Sequence, residues 1–478
     1  MLKITITLLL LLGLTSTSGA ENTLEIPDIG NSADAILSLK QERKIGDQFL
    51  RYTRRNVDLM NDPEVEAYIQ ALGERLVSYL DTTEHDYTFF VVNSAQINAF
   101  AVPGGYIGIN AGLIIAADNE SELASVLAHE IAHVSQRHIS RTIEKSASVN
   151  LATIASVLAA IALSSQGGDA SMAALSVGMA TGQQAHINFT RTHEKEADRI
   201  GIQLLAGANY DPHGMARFFQ KLHQESRYYE HGLPEILMTH PVTLSRISDA
   251  KNRAAQYQIE GLIDQPAFPI FRAKVRTLVS NKTQQLEQET LTLYQQQPLP
   301  ELAYQLALLE NLNGKYSQAE QRLRQLIQQQ GEQPWYTVAL ASNLQQLHQG
   351  EAARQLYQQA LQIYPGNKGL TLNYAELLLQ QQAYSEAVTL LKEHLRNSHQ
   401  PTPGSYQLYA QAEDHLGNQA ASAAALAEYF FLNGQSAVAI QHLENAIQAV
   451  DNDIFRLPAL EQRLAEIKAI ALEEKSQN

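Results

Sequence analysis

The sequence predicts a mainly α chain in two parts: an α+β domain over 21–265, then an all-α superhelix of repeated helix pairs over 270–478. Three observations predict it. A buried-helix pattern over 121–138 carries His129-Glu130-Ile131-Ala132-His133. Short β-branched and aromatic runs precede that helix. Beyond Pro269, small residues recur every 34 positions, as at Ala307, Ala341 and Ala375.

The elements follow in order. Lys3, the apolar run Ile4 to Leu14 and the small ending Ser18-Gly19-Ala20 read as a secretory signal peptide over 1–20, so the mature chain is expected to be exported. The run is too short to span a bilayer, and no transmembrane span is expected in the mature chain. Loss of Lys3 takes the net charge from −15 to −16, which argues against nucleic acid as a partner. There is no cysteine, so any transition metal must be held by histidines and carboxylates. A polar arm from 21 enters a helix near 45. Pro63 to Leu80 has the apolar spacing of an amphipathic helix. Tyr87 to Val92 is a strand, and 97–109 a hairpin turning at Pro103-Gly104-Gly105. Two small-residue runs within 149–180 read as a close-packed helical hairpin, an active-site lid or a membrane contact. Asn188 to Ala206 is a further helix, and Pro266 and Pro269 mark a boundary.

The second part is rich in glutamine, which by itself would suit a coiled coil. The period argues otherwise: Ala319, Ala353 and Ala387 repeat the 34-residue step of the first alanine set. Tyr357, Ala360 and Pro365 fit the close of the second helix of a tetratricopeptide (TPR) repeat, and Tyr316 and Tyr384 fit its opening aromatic. A less regular unit runs over 403–431, and helices near 435–450 and 457–472 cap the stack. Such a superhelix offers a concave face to a protein or peptide.

The HExxH motif carries the chemistry. Helical residues four apart share a face, so His129 and His133 can aim at one Zn²⁺ per chain, with Glu130 as general base for an attacking water. A third ligand is required. Gln136 and Ile139 occupy the places where H-E-x-x-H-x-x-G-x-x-H needs glycine and histidine, so that solution is excluded. Glu194 would complete a His₂Glu site. Asp198, four residues on, would bond the free nitrogen of a zinc histidine and fix its tautomer. Glu196 is expected on the solvated side, and His138 as a surface histidine off the ligand face. His240 precedes Pro241. Its ring could donate to a developing oxyanion, occupy the open zinc position and hold the enzyme inactive, or make only a structural bond.

Together, HEIAH at 129–133, E-x-x-A-D at 194–198 and NAFAVPGGYIGINAGL at 98–113 resemble the M48 zinc metallopeptidases. The signal peptide and TPR array narrow this to the exported, TPR-bearing branch of that family in Gram-negative bacteria. The resemblance implies a gluzincin-type domain, with zinc on His129, His133 and Glu194 and Glu130 as catalytic base. It implies an edge strand near Asn98 to Val102 that pairs with extended substrate, and a regulatory approach of His240 to the zinc. The implied role is periplasmic quality control of outer-membrane β-barrel proteins: degrading misassembled barrels and assisting assembly. The implied partners are the β-barrel assembly machinery and unfolded outer-membrane proteins, met through the TPR domain. The other reading is mainly a TPR chaperone or adaptor with a latent metal site.

Overall fold

The computed structural model describes residues 37–81, 84–145, 183–225, 235–259, 267–450 and 456–477. The expected signal peptide at 1–20 and the small-residue runs within 149–180 lie outside the described residues.

Ser38 and Gln41 form a capping box that starts helix α1 (Leu39–Asn56). Asp62 caps α2 (Pro63–Val77), with Pro63 in the first turn where its missing N–H costs nothing. The expected strand is β1 (Thr88–Val92), and the expected hairpin is β2 (Ala99–Val102) and β3 (Tyr106–Asn110). Gly104 and Gly105 turn it at φ +85° and +91°. A Cβ at either would strike the backbone of Glu42 or Asp86, so only glycine fits. β3 lies between β1, which pairs with it in parallel, and β2, which pairs antiparallel. Among the described residues β1 and β2 are the two outer strands, so β2 is an edge strand, as the resemblance implied.

Then come α3 (Ala111–Ala116), α4 (Glu120–Ser135) and α5 (His138–Lys145). The HExxH helix α4 ends at Ser135, not at His138. Arg137 turns the chain at φ +50°, and its guanidinium is buried against Glu42 of α1, Nε 2.8 Å from Oε1. Helices α6 (Gln183–Gly207), α7 (His213–Glu225), α8 (Glu235–Thr239) and α9 (Leu244–Ala254) complete the first part. Leu127, Ala128 and Ile131 of α4 share one core with Val91, Ile107 and Ile109 of the sheet and Ile202 and Leu205 of α6. The helices cross at Gly201, where a Cβ would lie 3.2 Å from the backbone nitrogen of His129. That close approach sets α6 directly over the motif.

Helix α10 (Ala267–Val279) serves two cores: Phe268, Phe271 and Val275 pack into the first, Ile270 and Ala273 into the second. After α11 (Thr283–Gln296), helix pairs begin at Pro300, Pro334, Lys368 and Pro403. The two alanine sets at 307/341/375 and 319/353/387 are fully buried between helices. This is the TPR arrangement and not a coiled coil. A final pair, α20 (Ser436–Ala449) and α21 (Arg456–Gln477), caps the array. The array packs along one flank of the first part. Lys368 pairs with Glu66 at 2.6 Å, Thr88 donates to Gln400 at 2.9 Å, and Tyr68 stacks on Phe271 at 4.0 Å. No helix among the described residues is long and apolar enough to cross a membrane.

Candidate metal centre

One turn of α4 separates His129 and His133, and their Nε2 atoms lie 3.0 Å apart. Helix α6 brings Glu194, whose carboxylate oxygens lie 3.4 Å from each Nε2. The loop after α8 brings His240, with Nδ1 3.4 Å from His129 Nε2 and 3.0 Å from Glu194 Oε1. Donor atoms of all four residues lie within 4.8 Å of one another. Zinc with N and O ligands at about 2.0–2.1 Å in a tetrahedron holds those ligands roughly 3.3 Å apart. The donors therefore sit where the ligands of one divalent ion would sit, and the imidazole-plus-carboxylate set suits it.

Glu130 is buried beside this cluster. Neither of its carboxylate oxygens has a hydrogen-bond partner among the described residues, and Oε1 lies 3.6 Å from His240 Nε2. A buried carboxylate without donors is costly and is kept where it has chemistry to do. Burial alone would strip the proton from His129, but Asp198 and Glu194 outweigh it and raise the ring to about 10. For His133 burial prevails over Glu194, and the ring is pushed down to about 4. Burial would raise Glu194, yet His240, His129 and His133 hold it well below the usual carboxylate range. His240 is raised: burial opposes its charge, and Glu194 and Glu130 favour it.

Asp198 stands where the sequence put it, Oδ1 3.0 Å from His129 Nδ1. The residue that holds it was not singled out from the sequence. Arg246, at the start of α9, donates Nε and Nη2 to both Asp198 oxygens at 2.8 and 2.7 Å. Its Nη1 lies 2.8 Å from Glu194 Oε2 and donates to the Pro241 carbonyl at 2.9 Å. One guanidinium thus ties together the two acids and the loop that carries His240. No spacing links Arg246 to Asp198; the nearest signal is its place just after His-Pro.

Two expectations are corrected. His138 is not a surface histidine: it is 3 % exposed, with Nδ1 2.9 Å from His133 Nδ1. Glu196 is not among the four clustered donors, and it is paired rather than simply solvated, 3.1 Å from both His138 Nε2 and Arg141 Nη1. The reason is the turn at Arg137. A continuous helix would carry His138 off the ligand face, whereas the break folds it back against His133. Beside His133 a small cleft is lined by Ala101, Val102, Val134, Ile139 and Ser140, so β2 and one of the four donors border the same cleft.

The profile of peptidase family M48 matches residues 63–254, and that of a tetratricopeptide repeat matches 344–412. The putative β-barrel assembly-enhancing protease of Vibrio cholerae is 36% identical over 439 residues, which cover 90% of this chain and 89% of that one. The β-barrel assembly-enhancing protease of Escherichia coli K12 is 34% identical over 467 residues, covering 96% of this chain and 94% of that one. The mitochondrial metalloendopeptidase OMA1 of Bos taurus is 32% identical over 181 residues, covering 37% of this chain and 34% of that one.

Proposed function

The chain belongs to peptidase family M48, and we propose that it is a zinc endopeptidase of the periplasm that degrades misassembled outer-membrane β-barrel proteins and assists productive assembly. The observation that carries this reading is the convergence of His129, His133 and Glu194 beside the buried Glu130, whose carboxylate accepts no hydrogen bond among the described residues. Bound in that cluster, zinc supplies Lewis-acid chemistry, polarising the scissile carbonyl and making water acidic near neutral pH. Glu130 takes the proton of the attacking water and returns it to the leaving amine. Asp198 holds the His129 tautomer, and Arg246 holds Asp198 and Glu194. Backbone pairing along β2 orients an extended substrate, which favours unfolded chains over any one side-chain sequence. Relatives named for barrel assembly support the client class, and the TPR array supplies a surface for the assembly machinery and for unfolded barrels.

One observation favours the second reading in part. His240 stands as a fourth donor beside His129, His133 and Glu194, and a metal held by all four would leave no position for water or substrate. In that state the enzyme is latent and the chain acts as a TPR chaperone or adaptor until His240 withdraws. The test is zinc content and casein cleavage for wild type, Glu130→Gln and His240→Ala. The expected result is one zinc per chain throughout, cleavage reduced at least about 10²-fold in Glu130→Gln, and cleavage raised in His240→Ala. Zinc without cleavage by any variant, or a Glu130→Gln chain that fully supports barrel assembly in cells, would favour the chaperone reading.

A further inference from the structure

The two zinc-type histidines are held from behind by different means. His129 has Asp198, a carboxylate on the helix that also brings Glu194. At its Nδ1 His133 has no carboxylate among the described residues; it has another imidazole. The Nδ1 atoms of His133 and His138 lie 2.9 Å apart, room for a single proton. His133 needs a bare Nε2 to ligate, so its proton sits on Nδ1 and donates to His138. The second proton of the pair then sits on His138 Nε2, which donates to Glu196 at 3.1 Å. Glu196 also accepts from Arg141 at 3.1 Å. The ring of His138 is fixed on its other side by His193, stacked at 4.1 Å with an interplanar angle of 9°. Its backbone is fixed by the turn at Arg137, anchored in the buried carboxylate of Glu42.

We propose that His138, aligned by Glu196, is the positioning residue for His133, so that a relay from Glu196 through His138 sets the tautomer and strengthens the metal donor at Nε2. This rests on the reading of the cluster as a metal site and adds to it a support for the second histidine. A carboxylate at the far end of an imidazole chain makes the near ring a better donor, as a carboxylate in direct contact does. The relay uses two residues of opposite exposure: His138 is buried, while the side chain of Glu196 keeps about a quarter of its surface, at 27%.

The test is zinc affinity by competition with a chromogenic chelator, together with the melting temperature of the metal-free protein, for wild type, His138→Ala, Glu196→Ala and the double variant. The partly exposed Glu196 makes its variant the safeguard should His138→Ala fail to fold. The expected result is zinc binding weakened roughly 10–100-fold by His138→Ala and less by Glu196→Ala. The double variant should bind no more weakly than His138→Ala alone, because Glu196 acts only through His138. A residue that merely fills space would lower the metal-free melting temperature and leave the zinc dissociation constant in place. Wild-type zinc affinity in both single variants, or additive losses in the double variant, would overturn the relay. Failure of the wild-type protein itself to take up zinc would instead overturn the metal reading of the cluster.

Discussion

The repeat array and the metal centre bury their residues in opposite ways. In the array, Ala307, Ala341 and Ala375 are fully buried, each between helices adjacent in sequence. Small side chains let the helices approach, and each contact involves a neighbour. In the metal centre, His129, Glu130, Glu194, Asp198 and Arg246 are all nearly buried, and the partners come from helices far apart in the chain. Errors in the array should stay local and modest. Errors in the centre should spread, because each charged group there is the compensation for another.

The strongest way to break this contrast is to remove a charge from each region. Arg246→Ala removes the guanidinium that pairs with both buried acids, Asp198 and Glu194, and should cost ~3–5 kcal/mol in urea unfolding. Lys468→Ala removes a half-exposed pair with Glu444 at 2.8 Å and should cost at most about 1 kcal/mol. Similar losses at both positions would remove the distinction.

Proton linkage separates the regions next. In the metal-free protein His129 is raised to about 10 from an ordinary 6.5, so it stays charged at neutral pH. Metal binding needs the neutral ring. Zinc uptake near neutral pH should therefore release at least one proton, and affinity should rise about tenfold per pH unit until pH approaches 10. The raised value also stabilises the metal-free fold fully below pH 6.5, a contribution lost as pH climbs toward 10. Calorimetric titrations in buffers of different ionisation enthalpy check the proton count. A pH-independent zinc affinity would contradict it.

Steric substitutions should sharpen the contrast further. Gly201→Ala puts a Cβ 3.2 Å from the His129 backbone and 2.9 Å from Met215 Cε, and should cost ~1–3 kcal/mol. Because it moves α6 off α4, it should weaken zinc binding as well. Ala341→Leu should cost a comparable amount of stability and leave zinc affinity alone.

The smallest effect is a gain. Gly314, His348 and Gln382 hold the same left-handed turn in successive repeats, at φ 76°, 59° and 60°. Only the first is glycine. His348→Gly should relieve the strain and stabilise by about 0.5–1 kcal/mol in thermal melts, with no change in zinc content. A loss of stability there would show that the His348 side chain makes contacts outweighing its backbone cost.

The helical repeats, the hairpin with its glycine turn, and the grouping of His129, His133 and Glu194 with Glu130 and Asp198 beside them follow from patterns in the chain itself. These were legible because their information is local or periodic. Four-residue spacing puts side chains on one helical face, a 34-residue step marks a repeat, and two successive glycines allow a turn that other residues forbid. The rest was fixed by the fold. The fold set His240 in the cluster, one of the places the sequence left open for it, placed Arg246 across both acids, and turned His138 from an expected surface residue into the partner of His133. The physical reason is that these depend on where separate elements meet and where one helix stops. The buried pair of Glu42 and Arg137 breaks the helix after Ser135, and no pattern within residues 129–138 reveals that a carboxylate from α1 will be there. Charges buried in pairs carry little local signature, since each is tolerated only once its distant partner has arrived.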